Sequence, residues 1–162
     1  MRDGYDTAQI CLNGHMVNEE VKTRPGFSQK YCRECGARTI AKCLECDEPI
    51  EGAWDTVEEY IALREVPGYC PNCGHPYPWT EGRIRAAKEL AEEIEGLSEA
   101  KKKALSQSID DIVRDTPRTE LAATKFKKII IKAGKAGGEA LVKSVIQIAT
   151  EKAKSILLTG QP

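Results

Sequence analysis

Seven cysteines and two histidines fall at regular intervals in the first half of this chain. Cys32-Arg33-Glu34-Cys35, Cys43-Leu44-Glu45-Cys46 and Cys70-Pro71-Asn72-Cys73 are three C-x-x-C pairs, and Cys11-Leu12-Asn13-Gly14-His15 is a looser C-x-x-x-H. A C-x-x-C turn aims two thiolates at one tetrahedral metal, so each pair is half a site. Seven sulfurs and the His15 imidazole make eight ligands, enough for two Zn2+ per chain with no thiol left over. A single pair could be a redox motif or two buried thiols. Three pairs and a C-x-x-x-H within 63 residues point instead to structural zinc.

Two groupings satisfy that count. In the sequential one, Cys11, His15, Cys32 and Cys35 share the first ion, and Cys43, Cys46, Cys70 and Cys73 share the second. In the cross-braced one, alternate pairs share. Seven residues separate Cys35 from Cys43, room for a linking strand, which favours the sequential grouping. His75 follows the last pair and reads as a surface group, the substitute to examine were His15 not a ligand.

The chemistry implied is structural. Four protein ligands leave no open position for water or substrate. No H-E-x-x-H, nucleophile elbow or deaminase signature occurs, the order Cys70-Pro71-Asn72-Cys73 being unlike P-C-x-x-C. The sequence therefore predicts no enzyme.

The elements that must hold these ligands are short. Tyr5 to Cys11 reads as a strand entering the first metal turn, His15 to Val21 as the strand leaving it, and Phe27 to Tyr31 as the return after Pro25-Gly26. That is a hairpin-built ribbon from residue 5 to about 41. A second ribbon runs from Cys43 to Cys73, with residues 56–65 as a short helix or an extended arm. Aromatic residues are only 6% and charged residues 30% of the chain, a composition suited to metal-held units and packed helices.

Beyond Pro76-Tyr77-Pro78-Trp79 the period changes to that of helices. Thr80 is placed to cap a helix with Ile84, Ala87, Leu90, Ala91 and Ile94 on one face, and Gly96 to end it. Ser98 is placed to cap the next, with Leu105, Ile109, Ile112 and Val113 aligned. Thr116 and Pro117 open a further segment. Its first stripe is Ala122, Phe126, Ile129, Ile130 and Ala133; its second is Val142, Val145, Ile146, Ala149, Ala153, Ile156 and Leu157. Gly134, Gly137 and Gly138 read as a turn between them, or as a close approach within one bent helix. The predicted fold class is α+β: two tandem zinc ribbons (1–79), a helical hairpin (80–115) and a basic amphipathic segment (116–160), the tail having three to four helices.

Charge divides the chain in the same place. Residues 1–79 hold 8 Lys and Arg against 13 Asp and Glu, while residues 116–162 hold 9 against 3. Seven thiolates and two Zn2+ would take the first region from −5 to about −8, a surface that repels phosphate. Arg24, Lys30, Arg33 and Arg38 remain a small basic group on the first ribbon. The stripes of 116–160 suggest self-association, and a protein partner on the ribbons is the companion expectation. Nucleic-acid binding through the basic tail and a membrane-surface effector role are the alternatives. No apolar core follows Met1 and no run is long enough to span a bilayer, so the sequence predicts a cytoplasmic protein with reduced thiols.

At Cys11-x-x-Gly14-His15, Tyr31-Cys32-x-x-Cys35-Gly36-Ala37, Cys70-x-Asn72-Cys73-Gly74, Tyr77-Pro78-Trp79-Thr80-Glu81 and Asp115-Thr116-Pro117-Arg118-Thr119, the chain resembles an uncharacterised bacterial family of small zinc-ribbon proteins, a domain of unknown function. The resemblance implies zinc binding and a bacterial setting, and brings no activity with it. Double-ribbon proteins in general resemble one another in acting as adaptors.

Overall fold

The computed structural model describes residues 4–55, 60–63, 65–133 and 135–159. Contacts divide the chain into two compact units, 1–81 and 82–162.

In the first unit the chain builds two small antiparallel sheets. The strands are β1 (Tyr5–Thr7), β2 (Gln9–Cys11), β3 (Met16–Asn18), β4 (Thr39–Ile40), β5 (Glu51–Asp55) and β6 (Tyr60–Ile61). One sheet has the order β3-β2-β4 and carries the first metal turns; the other has the order β1-β5-β6. The single strand expected over residues 5–11 is thus two strands in different sheets, divided at the fully buried Ala8. Tyr5 pairs with Trp54 and Thr7 with Glu51, whereas Ile10 pairs with Met16 on one side and Ile40 on the other. Each expected ribbon therefore lends a strand to a common sheet, because the amide of Ala8 takes the carbonyl of Ile50 at 2.8 Å. The return strand expected from Phe27 to Tyr31 is instead a 3-10 turn over Pro25–Phe27, then a single bridge from Tyr31 to Arg38. Of residues 56–65, Tyr60 and Ile61 are extended in β6; residues 56–59 and 64 lie outside the described residues.

Asp6 fastens this arrangement. Burial opposes its charge, but the Thr23 hydroxyl and the amides of Lys22, Thr7 and Thr23 prevail and hold its carboxyl below the usual range. The core beneath is small: Ala8, Ile10, Ile40, Ile50, Tyr77 and Trp79, completed by Cys43 and Cys70. So few apolar side chains are less than an independent unit ordinarily needs.

Among the described residues the rest of the chain holds five helices, more than the three to four expected: α1 (Pro78–Glu92), α2 (Glu99–Ile112), α3 (Thr119–Ala133), α4 (Lys135–Ile146) and α5 (Glu151–Leu158). α1 starts at Pro78, whose missing N–H costs nothing in a first turn, so Thr80 lies inside the helix and caps nothing. Gly96 adopts a left-handed φ of +77° in the turn after α1, past the helix end at Glu92. Ser98 holds the N-cap position of α2 without a side-chain bond. Before α3, Thr116 and Thr119 act reciprocally: the Arg118 amide donates to Thr116 Oγ1 at 3.2 Å and the Thr116 amide to Thr119 Oγ1 at 2.9 Å. The second apolar stripe is broken after Ile146, because Thr150 caps a fresh helix by accepting the Ala153 amide.

Of the three glycines, Gly134 lies outside the described residues, and Gly137 and Gly138 fall within α4. A Cβ on Gly138 would stand 2.7 Å from Ile130 Cγ2, so that glycine permits α3 and α4 to approach closely. Both stripes pack within the unit: Ala122, Phe126, Val145, Ala149, Ala153 and Leu157 share one core with Ala87, Leu105, Ile109 and Ile112, and the remaining stripe residues pack against it partly buried. Lys127 Nζ closes α5 by donating to the carbonyls of Ile156 and Thr159.

The pairing of β1 with β5 depends on Gly52. A Cβ there would fall on the Glu19 carbonyl oxygen and within 2.8 Å of the Thr7 carbonyl carbon, backbone that no side-chain rotation can clear. Gly52→Ala should destabilise the chain by about 3 kcal/mol, read as a lowered denaturant midpoint. An unchanged midpoint would show that the backbone of Thr7 and Glu19 does not lie this close to Gly52.

Candidate metal centre

Three turns in the first unit share one backbone design. At Cys32, Cys43 and Cys70 the cysteine amide donates to the carbonyl five residues on, of Ala37, Glu48 and His75. The cysteine carbonyl accepts the amide four residues on, of Gly36, Asp47 and Gly74. An antiparallel bridge closes each loop: Tyr31 with Arg38, Lys42 with Pro49, Tyr69 with Pro76. The residue after the second cysteine must turn left-handed, at φ +70° for Gly36, +59° for Asp47 and +72° for Gly74. The loop at Cys11 is one residue shorter, its amide donating to the carbonyl of His15, and the longer imidazole replaces the second sulfur.

These four loops bring all eight predicted ligands into two groups. Cys11, His15, Cys32 and Cys35 form one and Cys43, Cys46, Cys70 and Cys73 the other, with the donor atoms of each group within 4.8 Å of one another. This is the sequential grouping. His75 belongs to neither; its Nε2 stands 4.0 Å from Glu45. Either group could hold a metal ion.

The spacings can be tested against a zinc tetrahedron. Zn–S bonds of about 2.3 Å and a Zn–N bond of about 2.0–2.1 Å require tetrahedral edges of about 3.8 Å between sulfurs and about 3.5 Å between sulfur and nitrogen. The structure has 3.7 Å from Cys11 to Cys35, 3.8 Å from Cys43 to Cys73 and 3.6 Å from Cys46 to Cys70. His15 presents Nδ1, at 3.5 Å from Cys11 Sγ and 3.6 Å from Cys32 Sγ. All these sulfurs are far beyond the about 2.05 Å of a disulfide, and all seven cysteines are free. The residues present fit the ion.

Two asparagines that are not themselves metal ligands support the sulfurs. Asn13 Nδ2 donates to Cys35 Sγ at 3.4 Å, and Asn72 Nδ2 to Cys46 Sγ at 3.5 Å. Each lies two residues after a cysteine of its own centre, a repetition present in Cys11-Leu12-Asn13 and Cys70-Pro71-Asn72. The Ala37 amide, with Asn13, His15 and Cys11, brings the Cys35 thiol down to about 6. Asn72 and the Glu48 amide bring Cys46 down to about 7. At Cys73 the His75 amide favours the thiolate, yet burial and the sulfurs of Cys46, Cys70 and Cys43 push it up to about 12. Burial raises Cys11, while hydrogen bonding to Cys35 and Cys32, with Glu34 nearby, raises His15. Each centre thus contains easily and reluctantly ionised donors, and binding a metal must expel the protons of the reluctant ones.

A family model described as an uncharacterized protein conserved in bacteria matches residues 4–157. No curated protein and no solved structure matches the chain.

The left-handed corners of the three loops differ in one residue, and that difference is measurable. Asp47→Gly should stabilise the chain by about 0.5–1 kcal/mol, the exposed Lys42–Asp47 pair contributing little, while Gly36→Ala and Gly74→Ala should each cost about 1 kcal/mol or more. Denaturant midpoints of the three variants would check the signs. Equal effects at all three corners would contradict the shared design.

Proposed function

The chain belongs to this uncharacterized bacterial family, and we infer that it is a non-enzymatic zinc protein whose two centres stiffen an interaction module. The observation that carries this reading is the agreement of five donor spacings with the edges of a zinc tetrahedron. Zinc answers it with all-protein ligation, four side chains to each ion, and so with no vacant position at which water or substrate could be activated. Sulfur-rich tetrahedra also suit iron, but the imidazole of the first centre and the reduced surroundings expected for the chain favour zinc.

An adaptor role draws support from the first unit's surface, where Phe27, Tyr31 and Leu44 are each more than half exposed. Large apolar side chains on metal-pinned loops present a surface whose shape costs little to organise on binding. Self-association through residues 116–160 draws its support from Leu121, Ile131 and Leu158, likewise more than half exposed on α3 and α5. Among the described residues no helix is long and apolar enough to cross a membrane.

Native mass spectrometry of the purified chain should find two zinc ions per polypeptide, and a strong chelator should abolish the amide dispersion of residues 4–55. The same spectrum reads assembly. Fewer than two equivalents, iron in place of zinc, or a first unit that keeps its fold without metal would overturn the zinc reading. A strict monomer would remove self-association alone.

A further inference from the structure

Between α2 and α3 runs an open groove of about 280 Å³ that neither metal centre uses. Its α3 side carries Arg118, Leu121, Lys125 and Lys128, whose spacing puts all four on one helical face. Apolar lining comes from Ala104, Ala122 and the half-buried Ile129. Leu121, 53% exposed, stands open to solvent beside them.

The charge of the groove is one-sided. Among the residues that line it Asp111 is the single carboxylate, and it accepts the Arg118 Nε–H at 3.2 Å. Lys125 and Lys128 are exposed and pair with no carboxylate among the described residues. Three cations against one carboxylate leave the lining at +2, all of the excess on the α3 side. On the α2 side the Ser108 hydroxyl is committed to the Ala104 carbonyl at 2.8 Å, which leaves the exposed Gln107 amide as the polar group free to meet a ligand.

Shape and charge together choose the occupant. From Arg118 to Ile129 the α3 side runs about 16 Å, three turns of helix. Nucleic acid is held by its phosphates and sugars, which gives Leu121 and Ile129 nothing to do. A membrane surface is met by a projecting apolar face, whereas this one is recessed between two helices. Two copies set face to face would oppose lysine with lysine. We propose that the α2–α3 groove binds an acidic amphipathic helix of a partner protein, its apolar stripe on Leu121, Ala122 and Ile129 and its carboxylates toward Lys125 and Lys128. The edge of that helix nearest α2 is uncharged, because Asp111 repels a carboxylate there while Gln107 bonds an amide or hydroxyl. The groove is separate from the metal reading, and it leaves Ile131 and Leu158, which do not line it, for self-association.

The probe is a fluorescein-labelled synthetic peptide of about 14 residues, with leucines at helical spacing and glutamates along one flank, set against a scrambled peptide of the same composition. Fluorescence anisotropy with the full chain should find the patterned peptide bound about tenfold more tightly than the scrambled one. Lys125→Glu with Lys128→Glu should weaken that binding about tenfold, and Leu121→Ala about fivefold. Lys101→Glu with Lys103→Glu, the same charge change on α2 outside the groove, should alter it by about twofold or less. Nitrogen-15 NMR should show the peptide shifting the amides of Gln107, Leu121 and Ile129. Equal binding of the two peptides, a comparison that needs no variant, would overturn the proposal, as would equal losses from the two charge reversals. Oligodeoxythymidine shifting the same amides at lower concentration would give the groove to nucleic acid. A dimer of the chain alone, dissolved by Lys125→Glu with Lys128→Glu, would give it to a second copy; either result overturns the assignment.

Discussion

The first unit depends on eight donor atoms being drawn to two points. Without an ion, each group packs three or four sulfurs within 4.8 Å of one another, an arrangement in which ionised thiols repel and neutral ones offer each other weak bonds. The apolar side chains beneath are too few to enforce such crowding, and two of the buried residues among them are the cysteines Cys43 and Cys70 themselves. The ligands are therefore part of the core. A divalent ion reverses the sign of the interaction: sulfurs that repel become sulfurs that share a charge, and folding energy comes from coordination.

That constraint explains the repetition in the backbone. Three loops use the same pair of amide bonds and the same left-handed corner, because few short turns place two sulfurs on one tetrahedral edge. The two centres also echo each other beyond their ligands. In each, an asparagine two residues after a cysteine supports the second sulfur of the opposing pair. In each, the glutamate before that sulfur stands beside a histidine: Glu34 is 3.8 Å from His15 Nε2 and Glu45 is 4.0 Å from His75 Nε2. His75 thus stands beside a glutamate as His15 does, but the fourth donor of the second centre is Cys73.

The ligand groups were legible from spacing because each half-site is local: Cys32 and Cys35 can belong together only through one turn. The helices were legible for the same reason, Leu105, Ile109 and Ile112 being buried where their period places them. The common sheet was not. Tyr5 meets Trp54 across nearly fifty residues, and nothing in Tyr5-Asp6-Thr7-Ala8-Gln9 marks Ala8 as the point where the chain changes sheets. Asp47 hid the third left-handed corner, because aspartate tolerates that conformation without announcing it as glycine does. The break after Ile146 was obscured by a stripe whose period continues across it, although Thr150 followed by Glu151 is a legible start signal.

The two centres should not respond alike to the same challenge, and the reason is charge. Three thiolates, one imidazole and a divalent ion sum to −1; four thiolates sum to −2. The two centres are buried alike, each with two buried sulfurs, one half-buried donor and one exposed sulfur, so the charge itself is the difference between them. Excess charge at depth has to be met by donors from the protein, since solvent cannot reach it. The Asn72 amide group reaches Cys46 at 3.5 Å, and the Glu48 amide also favours its thiolate. The first centre, carrying less charge, has Asn13 and the Ala37 amide on its exposed sulfur.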